Sequence, residues 1–268
     1  MKIAHYAKIL SAGPKTNSLR VGGSESSVMN LAEAQAKKHD VIILNSSKTN
    51  KLKIKNINFF YLKFNFINIF FYNPFFKLIK LFGKPDIIII HEIYNFNIIP
   101  LIFFSKLFNI KVYICPRGTL SPIALQINKF RKYFFHQIFF RNIVKLTNGF
   151  IALNKGERAH IKSLFKSYQI YLIPNGVNQS YFNFRKLKKL IQLKIKKKNL
   201  LVGFLGRYDF YIKGLDILLN EYQIYLKKSF KKSVKLIFIG EHRIKHGYSS
   251  KLIIDDFNKK NKKKFNNY

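Results

Sequence analysis

The chain has no tryptophan, one cysteine and two methionines, and only 12 acidic residues against 49 lysines and arginines. A single thiol, Cys115, excludes an internal disulfide framework and a cysteine-based metal site, and it fits a reducing compartment. The N-terminus, MKIAHYAKIL, is too short and polar for a signal peptide and reads as a first strand. Long unbroken apolar runs are also lacking. The most apolar stretch, Phe59 to Phe82, is interrupted by Lys63, Lys77, Lys80, several asparagines and Pro74. That excludes a good spanning helix. A segment lying on a membrane surface remains an alternative, but strand then helix in a core is the stronger reading.

The scarcity of acids leaves a formal net charge of +37. Such a balance directs attention to nucleic acid or an anionic membrane surface. The lysines are dispersed, however, and accompany an excess of Asn, Ile, Phe and Tyr, the bias of an AT-rich genome. General adhesion to polyanions is expected, and specific nucleic-acid recognition is not. What the chain does have is 48% hydrophobic residues, 28 phenylalanines among them, and length enough for a real core in one or two domains.

Taken in order, Ile3 to Leu10 reads as a strand and SAGPKTNSLRVGG as a glycine-rich loop ending in Gly22 and Gly23. Ser24 is a good N-cap, and Val28, Leu31, Ala32 and Ala36 recur at helical spacing, with a strand at Val41 to Leu44. Strand, glycine turn, helix, strand is a βαβ unit and implies a parallel sheet. A dinucleotide GxGxxG fingerprint is absent. Strands follow at Ile57 to Leu62, at the run IIII after Pro85-Asp86, at Lys111 to Cys115, at Asn148 to Leu153 and at Gln169 to Ile173. Helices alternate with them, including one from Lys129 to Lys145 dense in aromatic and basic side chains. The first domain therefore reads as doubly wound α/β. In such sheets ligands gather beyond the carboxyl ends of the strands. His91-Glu92 and Arg117 both occupy such ends.

A basic connector, Arg185 to Lys198, holds eight basic residues and no acid. Beyond it, LLVGFLGRYDFYIKGLDILL reads as strand, basic loop, helix. Arg207 and Lys213 would lie in that loop near a helix N-terminus, a place suited to a diphosphate, though a solvated basic loop would look the same. Val234 to Ile239 is the next strand, and a Lys/Asn-rich tail follows.

The order of these pieces resembles the family 4 glycosyltransferases, retaining enzymes of the two-Rossmann-domain (GT-B) type. The resemblance rests on GGSESSVMNLAEAQAKKHDVIIL, HEIYN, PRGTLSPIALQ, IPNGV and FLGRYDFYIKGLDILL, and spans about residues 2 to 245. It implies an α/β chain with a doubly wound Rossmann-like N-terminal domain (1–180), a connector (181–198) and an incomplete second Rossmann-like domain (199–268). It implies a UDP- or GDP-sugar donor, with Arg207 and Lys213 on the diphosphate and Gly22 and Gly23 facing it. His91 would be the catalytic-site histidine near the transferring sugar or the acceptor, with Arg117 and Glu92 on the acceptor side. The acceptor would be a cell-envelope polysaccharide or lipid-linked glycan, reached in the cytoplasm or at the inner face of the cytoplasmic membrane. No metal and no cofactor beyond the donor is implied.

The sequence departs from the family pattern in lacking its late pair of glutamates eight residues apart. Glu25 and Glu33 have that spacing but lie in the first helix. With only about 70 residues in its second domain, where a domain of this kind needs roughly 150, the chain is expected to be cut short, impaired in activity, or completed by a separately encoded half. The alternative is a non-catalytic domain that binds a glycan or a membrane surface. The sugar, the base and the acceptor are not legible.

Overall fold

A computed structural model describes residues 1–7, 10–11, 19–20, 23–45, 57–65, 73–177, 200–206, 208, 213–228, 234–240, 244–245 and 248–249. The chain forms two compact units, Met1–Asn183 and Phe184–Tyr268. Gly22, Arg207 and the connector expected at 181–198 lie outside the described residues.

The first unit is built on strands β1 (Lys2–Ala7), β4 (Asp40–Asn45), β5 (Asn58–Tyr61), β6 (Ile87–Ile90), β7 (Lys111–Ile114), β8 (Gly149–Ala152) and β9 (Ile170–Leu172). They pair in parallel in the order β5-β4-β1-β6-β7-β8-β9. Helices α1 (Gly23–Gln35), α2 (Pro74–Phe82), α3 (Ile98–Leu107), α4 (Pro122–Gln126), α5 (Lys129–Phe134), α6 (Arg141–Ile143) and α7 (Lys155–Leu164) flank it. A short antiparallel pair, β2 (Leu10–Ser11) and β3 (Leu19–Arg20), follows β1.

Both faces of the sheet are covered, and the strands show why. Along β4, Val41 and Ile43 enter one apolar cluster while Ile42 and Leu44 enter the other. Along β6, Ile88 and Ile90 face one way and Ile89 the other. This two-residue alternation on a β-branched run is what a strand buried on both sides requires. The larger cluster packs under α2, α3 and the α5–α6 region through Phe75, Leu101 and Phe140. The smaller one lies under α1 through Val28, Met29 and Ala32. The strand order reverses at β1 and β6, so the crevice of this Rossmann-like sheet opens beyond their carboxyl ends.

Three local details differ from the sequence reading. Leu10, expected at the end of the first strand, lies in β2, paired antiparallel with β3. The Ser24 hydroxyl donates to the Glu25 carboxylate at 2.9 Å instead of capping α1. The helix expected from Lys129 to Lys145 is not uniformly α: Phe135–Phe140 is π-helical. A π turn brings residues five apart onto one side, and that lets both Phe135 and Phe140 be buried.

In the second unit, β10 (Leu200–Leu205) pairs in parallel with β11 (Val234–Ile239), and α8 (Leu215–Lys228) connects them. Tyr208, Leu215, Leu219 and Tyr222 bury one face of this βαβ unit. A small antiparallel pair, β12 (Ile244–Lys245) and β13 (Tyr248–Ser249), follows.

Candidate active site

The crevice is occupied by a line of polar side chains in an otherwise apolar interior. His5, midway along β1, points to the α1 side and is fully buried. Its Nε2 lies 2.7 Å from Oε1 of Gln35, the last residue of α1. Its Nδ1 lies 3.0 Å from Nε2 of His91, which directly follows β6. The two rings stack with centroids 5.3 Å apart. Arg117 then donates its Nε–H to His91 Nδ1 at 3.0 Å and an Nη1–H to the Asn175 side-chain oxygen at 3.0 Å.

These contacts fix every proton. The Gln35 oxygen only accepts, so His5 carries its proton on Nε2 and accepts at Nδ1. His91 must therefore donate from Nε2, which leaves Nδ1 to accept from Arg117. The bonds run in one direction, from Arg117 through His91 and His5 to Gln35. Both imidazoles are held neutral. Burial pushes the His5 pKa down to about 4, against a lift from the Gln35 hydrogen bond. Burial, then His5 and Arg117, hold His91 well below the usual histidine value. His91 is thus a fixed neutral acceptor for Arg117, with no lone pair free to serve as a base.

Arg117 is set by an unusual backbone. It adopts φ +52° and Gly118 φ +78°, and Thr119 N–H closes the turn on the Pro116 carbonyl at 3.2 Å. Left-handed backbone is costly for a residue with a side chain and persists where the surroundings impose it. The brace is Glu157, which is buried. Its carboxylate accepts from the Gly118 N–H at 2.6 Å and from the Leu153 N–H at 2.7 Å. Asn154 in turn caps α7 by accepting from the Glu157 N–H at 2.8 Å.

Around this line lies a cavity of about 400 Å³, walled by α1, by the strand ends and by the segment after β9. His91, Arg117, Gln35, Asn175, Glu33 and Lys37 contribute its polar groups. With two of its donors committed, the guanidinium keeps others for a ligand in that space. An anionic group, phosphate or carboxylate, is what such a fork receives best.

Of the residues expected from sequence, the fold brings His91 and Arg117 into direct contact. Glu92 accepts from the Asn95 amide at 3.2 Å and is not among the residues that line the cavity. Gly23 opens α1, and a Cβ there would meet nothing within 4 Å. Lys213, exposed, precedes α8 in the second unit. Sequence reasoning missed His5, Gln35, Asn175 and Glu157. The last had a readable signal, since Asn-x-x-Glu at Asn154 to Glu157 is a helix-start pattern. Among the described residues, no group of three His, Cys, Asp or Glu side chains could hold a metal ion, and no helix is long and apolar enough to cross a membrane.

Comparison with known proteins agrees with this architecture. The family model for Glycosyltransferase Family 4 matches residues 21–181. No curated protein matches the chain. Among solved structures, a sucrose-phosphate synthase from Thermosynechococcus elongatus is similar with a TM-score of 0.62 at 15% identity, covering 96% of this chain and 68% of that one. A UDP co-structure of S. aureus MnaA aligns with a TM-score of 0.45 at 12% identity, covering 97% of this chain and 65% of that one. With a family match over more than half of its length, this chain belongs to glycosyltransferase family 4.

Proposed function

We propose that the protein is a retaining glycosyltransferase that moves a hexose from a UDP- or GDP-sugar to an anionic acceptor, a lipid-linked or cell-envelope glycan. The observation that carries this reading is the cavity at the strand-order reversal, where Arg117 is presented by a neutral histidine line. A guanidinium braced in this way, half-buried and lining the cavity, is suited to orienting a phosphate or carboxylate of the acceptor. His91 and His5 serve as positioning residues for it, and Glu92 acts on the acceptor side only from outside the cavity.

The donor is assigned by family resemblance to the second unit. Lys213 and Arg207 neutralise the diphosphate and stabilise it as the leaving group. No cofactor is invoked beyond the donor. Work at the cytoplasmic face of the membrane is in keeping with a single, buried thiol.

The test is calorimetric titration of the purified chain with UDP- and GDP-sugars, followed by transfer assays with phosphate- or carboxylate-bearing glycan acceptors. Donor binding that is lost in Lys213→Ala, with acceptor binding that is lost in Arg117→Ala, supports the reading. Acceptor binding with no donor binding makes the chain a glycan-binding domain and overturns it.

A further inference from the structure

We infer that the outer face of the α4–α6 region docks on an anionic lipid surface, with an aromatic ridge entering the headgroup layer. From Lys129 to Ile143 the chain runs as one helical rod, α5, the π turn and α6. Its inner side is anchored by buried Phe135 and Phe140. Its outer side presents Phe130, Phe134 and Ile138, which are 80%, 58% and 56% exposed. They recur every fourth residue, and Tyr133 packs edge-on beside Phe134 at 5.9 Å. A ridge of large apolar side chains this exposed is unusual on a protein that meets only water.

Charge selects the partner. Lys129, Arg131 and Arg141 are interleaved with the ridge, while the Lys132 ammonium turns to the Ala124 carbonyl and the Tyr94 ring, and residues 93–156 hold nine lysines and arginines with no acidic residue. Single-stranded nucleic acid stacks on exposed rings, but it gives aliphatic Ile138, in the same row, no role. Protein interfaces are depleted in lysine at their centres. Aromatic and aliphatic side chains flanked by long basic ones are the composition of a helix lying in a membrane interface, where the rings enter and the cations reach phosphates. A second cavity of about 300 Å³ lies beside the rod, lined by apolar Leu125, Leu164 and Phe165 and by basic Lys129, Lys132 and Arg141 among others. Apolar and basic side chains together around one hollow suit a phospholipid headgroup and its first methylenes.

The chain has no tryptophan, so Phe134→Trp supplies a single reporter. The experiment is flotation of the full chain with phosphatidylcholine vesicles, with and without phosphatidylglycerol, plus emission of the Phe134→Trp variant. Binding is expected only with the anionic lipid, with a blue shift on binding and quenching by brominated acyl chains. The double variant Phe130→Ser/Phe134→Ser keeps the net charge and is expected to bind roughly tenfold or more weakly. Circular dichroism establishes that this variant is folded. Unchanged binding by it, or an unshifted tryptophan, leaves only bulk electrostatics and overturns the proposal. So does the same blue shift with RNA, or with rising protein concentration in the absence of lipid, the latter marking the ridge as an interface between copies. None of these readouts uses a sugar donor, so the proposal stands or falls apart from the transferase reading.

Discussion

Arg117 donates its Nε–H to Nδ1 of His91 at 3.0 Å, and the consequence is that His91 cannot gain a proton without placing two cations in contact. The histidine expected from sequence at the catalytic site holds a guanidinium in place, and His5 and Gln35 hold the histidine.

This line makes the fold acid-sensitive. An unfolded histidine titrates near 6.5, whereas buried His5 titrates at about 4 and His91 well below 6.5. Between those values the unfolded chain binds more protons, so stability falls as pH falls through the window from 6.5 to about 4. The His5 contribution is about 3 kcal/mol across it. Urea denaturation at several pH values reads this directly. His5→Gln, which has no titration there, is expected to flatten the slope, and an unchanged slope would place the acid sensitivity elsewhere.

Arg117 is expected to act on the acceptor and little on the fold. Arg117→Lys keeps a cation but cannot donate both to His91 and to Asn175 while still forking around an anion. The expected result is an acceptor KM raised about tenfold to a hundredfold, near the loss of one charge-assisted hydrogen bond, with donor binding unchanged. His91→Phe keeps a ring but removes the acceptor for Nε–H, and is expected to raise the same KM by a smaller factor. Loss of kcat at constant KM would point to chemistry by His91 itself.

The sheet was legible in the sequence and the histidine line was not, for physical reasons. Runs such as IIII before His91 and VIIL at Val41 carry their own strand signal, and a doubly wound order follows from alternating with helices. Strand-end positions then flagged His91 and Arg117. His5 lies in an apolar strand 86 residues from His91, and nothing local marks it as polar on purpose. Its partnership exists only because β1 and β6 are neighbours in the sheet. The π turn was equally hidden, because its aromatic residues continue a helical pattern while the backbone changes its spacing.

Glu157 is the brace that sequence reading passed over, and its removal tests the strained turn. Glu157→Ala strips acceptors from two backbone N–H groups, those of Gly118 and Leu153. The expected cost is about 3 kcal/mol, with the acceptor site disordered as well. Glu157→Gln keeps one carbonyl oxygen but turns an N–H group toward a donor, for an intermediate loss. Urea midpoints and amide exchange at Gly118 check both. Equal stability of the alanine variant would mean that the turn holds itself.

The second unit depends on a close approach between two glycines. A Cβ on Gly240 would collide with the Gly206 carbonyl oxygen, a backbone atom that cannot rotate away. The Gly206 N–H also donates to the Ile239 carbonyl at 3.0 Å, so the carboxyl ends of β10 and β11 are tied together there. Gly240→Ala is therefore expected to open this end at a cost of about 2 kcal/mol or more. Gly203→Ala is the matched control, since a Cβ there meets nothing within 4 Å. Hydrogen exchange should quicken across Leu200–Leu205 and Val234–Ile239 in the first variant and not in the second. Because the chain divides into separate compact units, exchange in β1 and β6 should stay as it is, and a change there would mean that the two units share their stability.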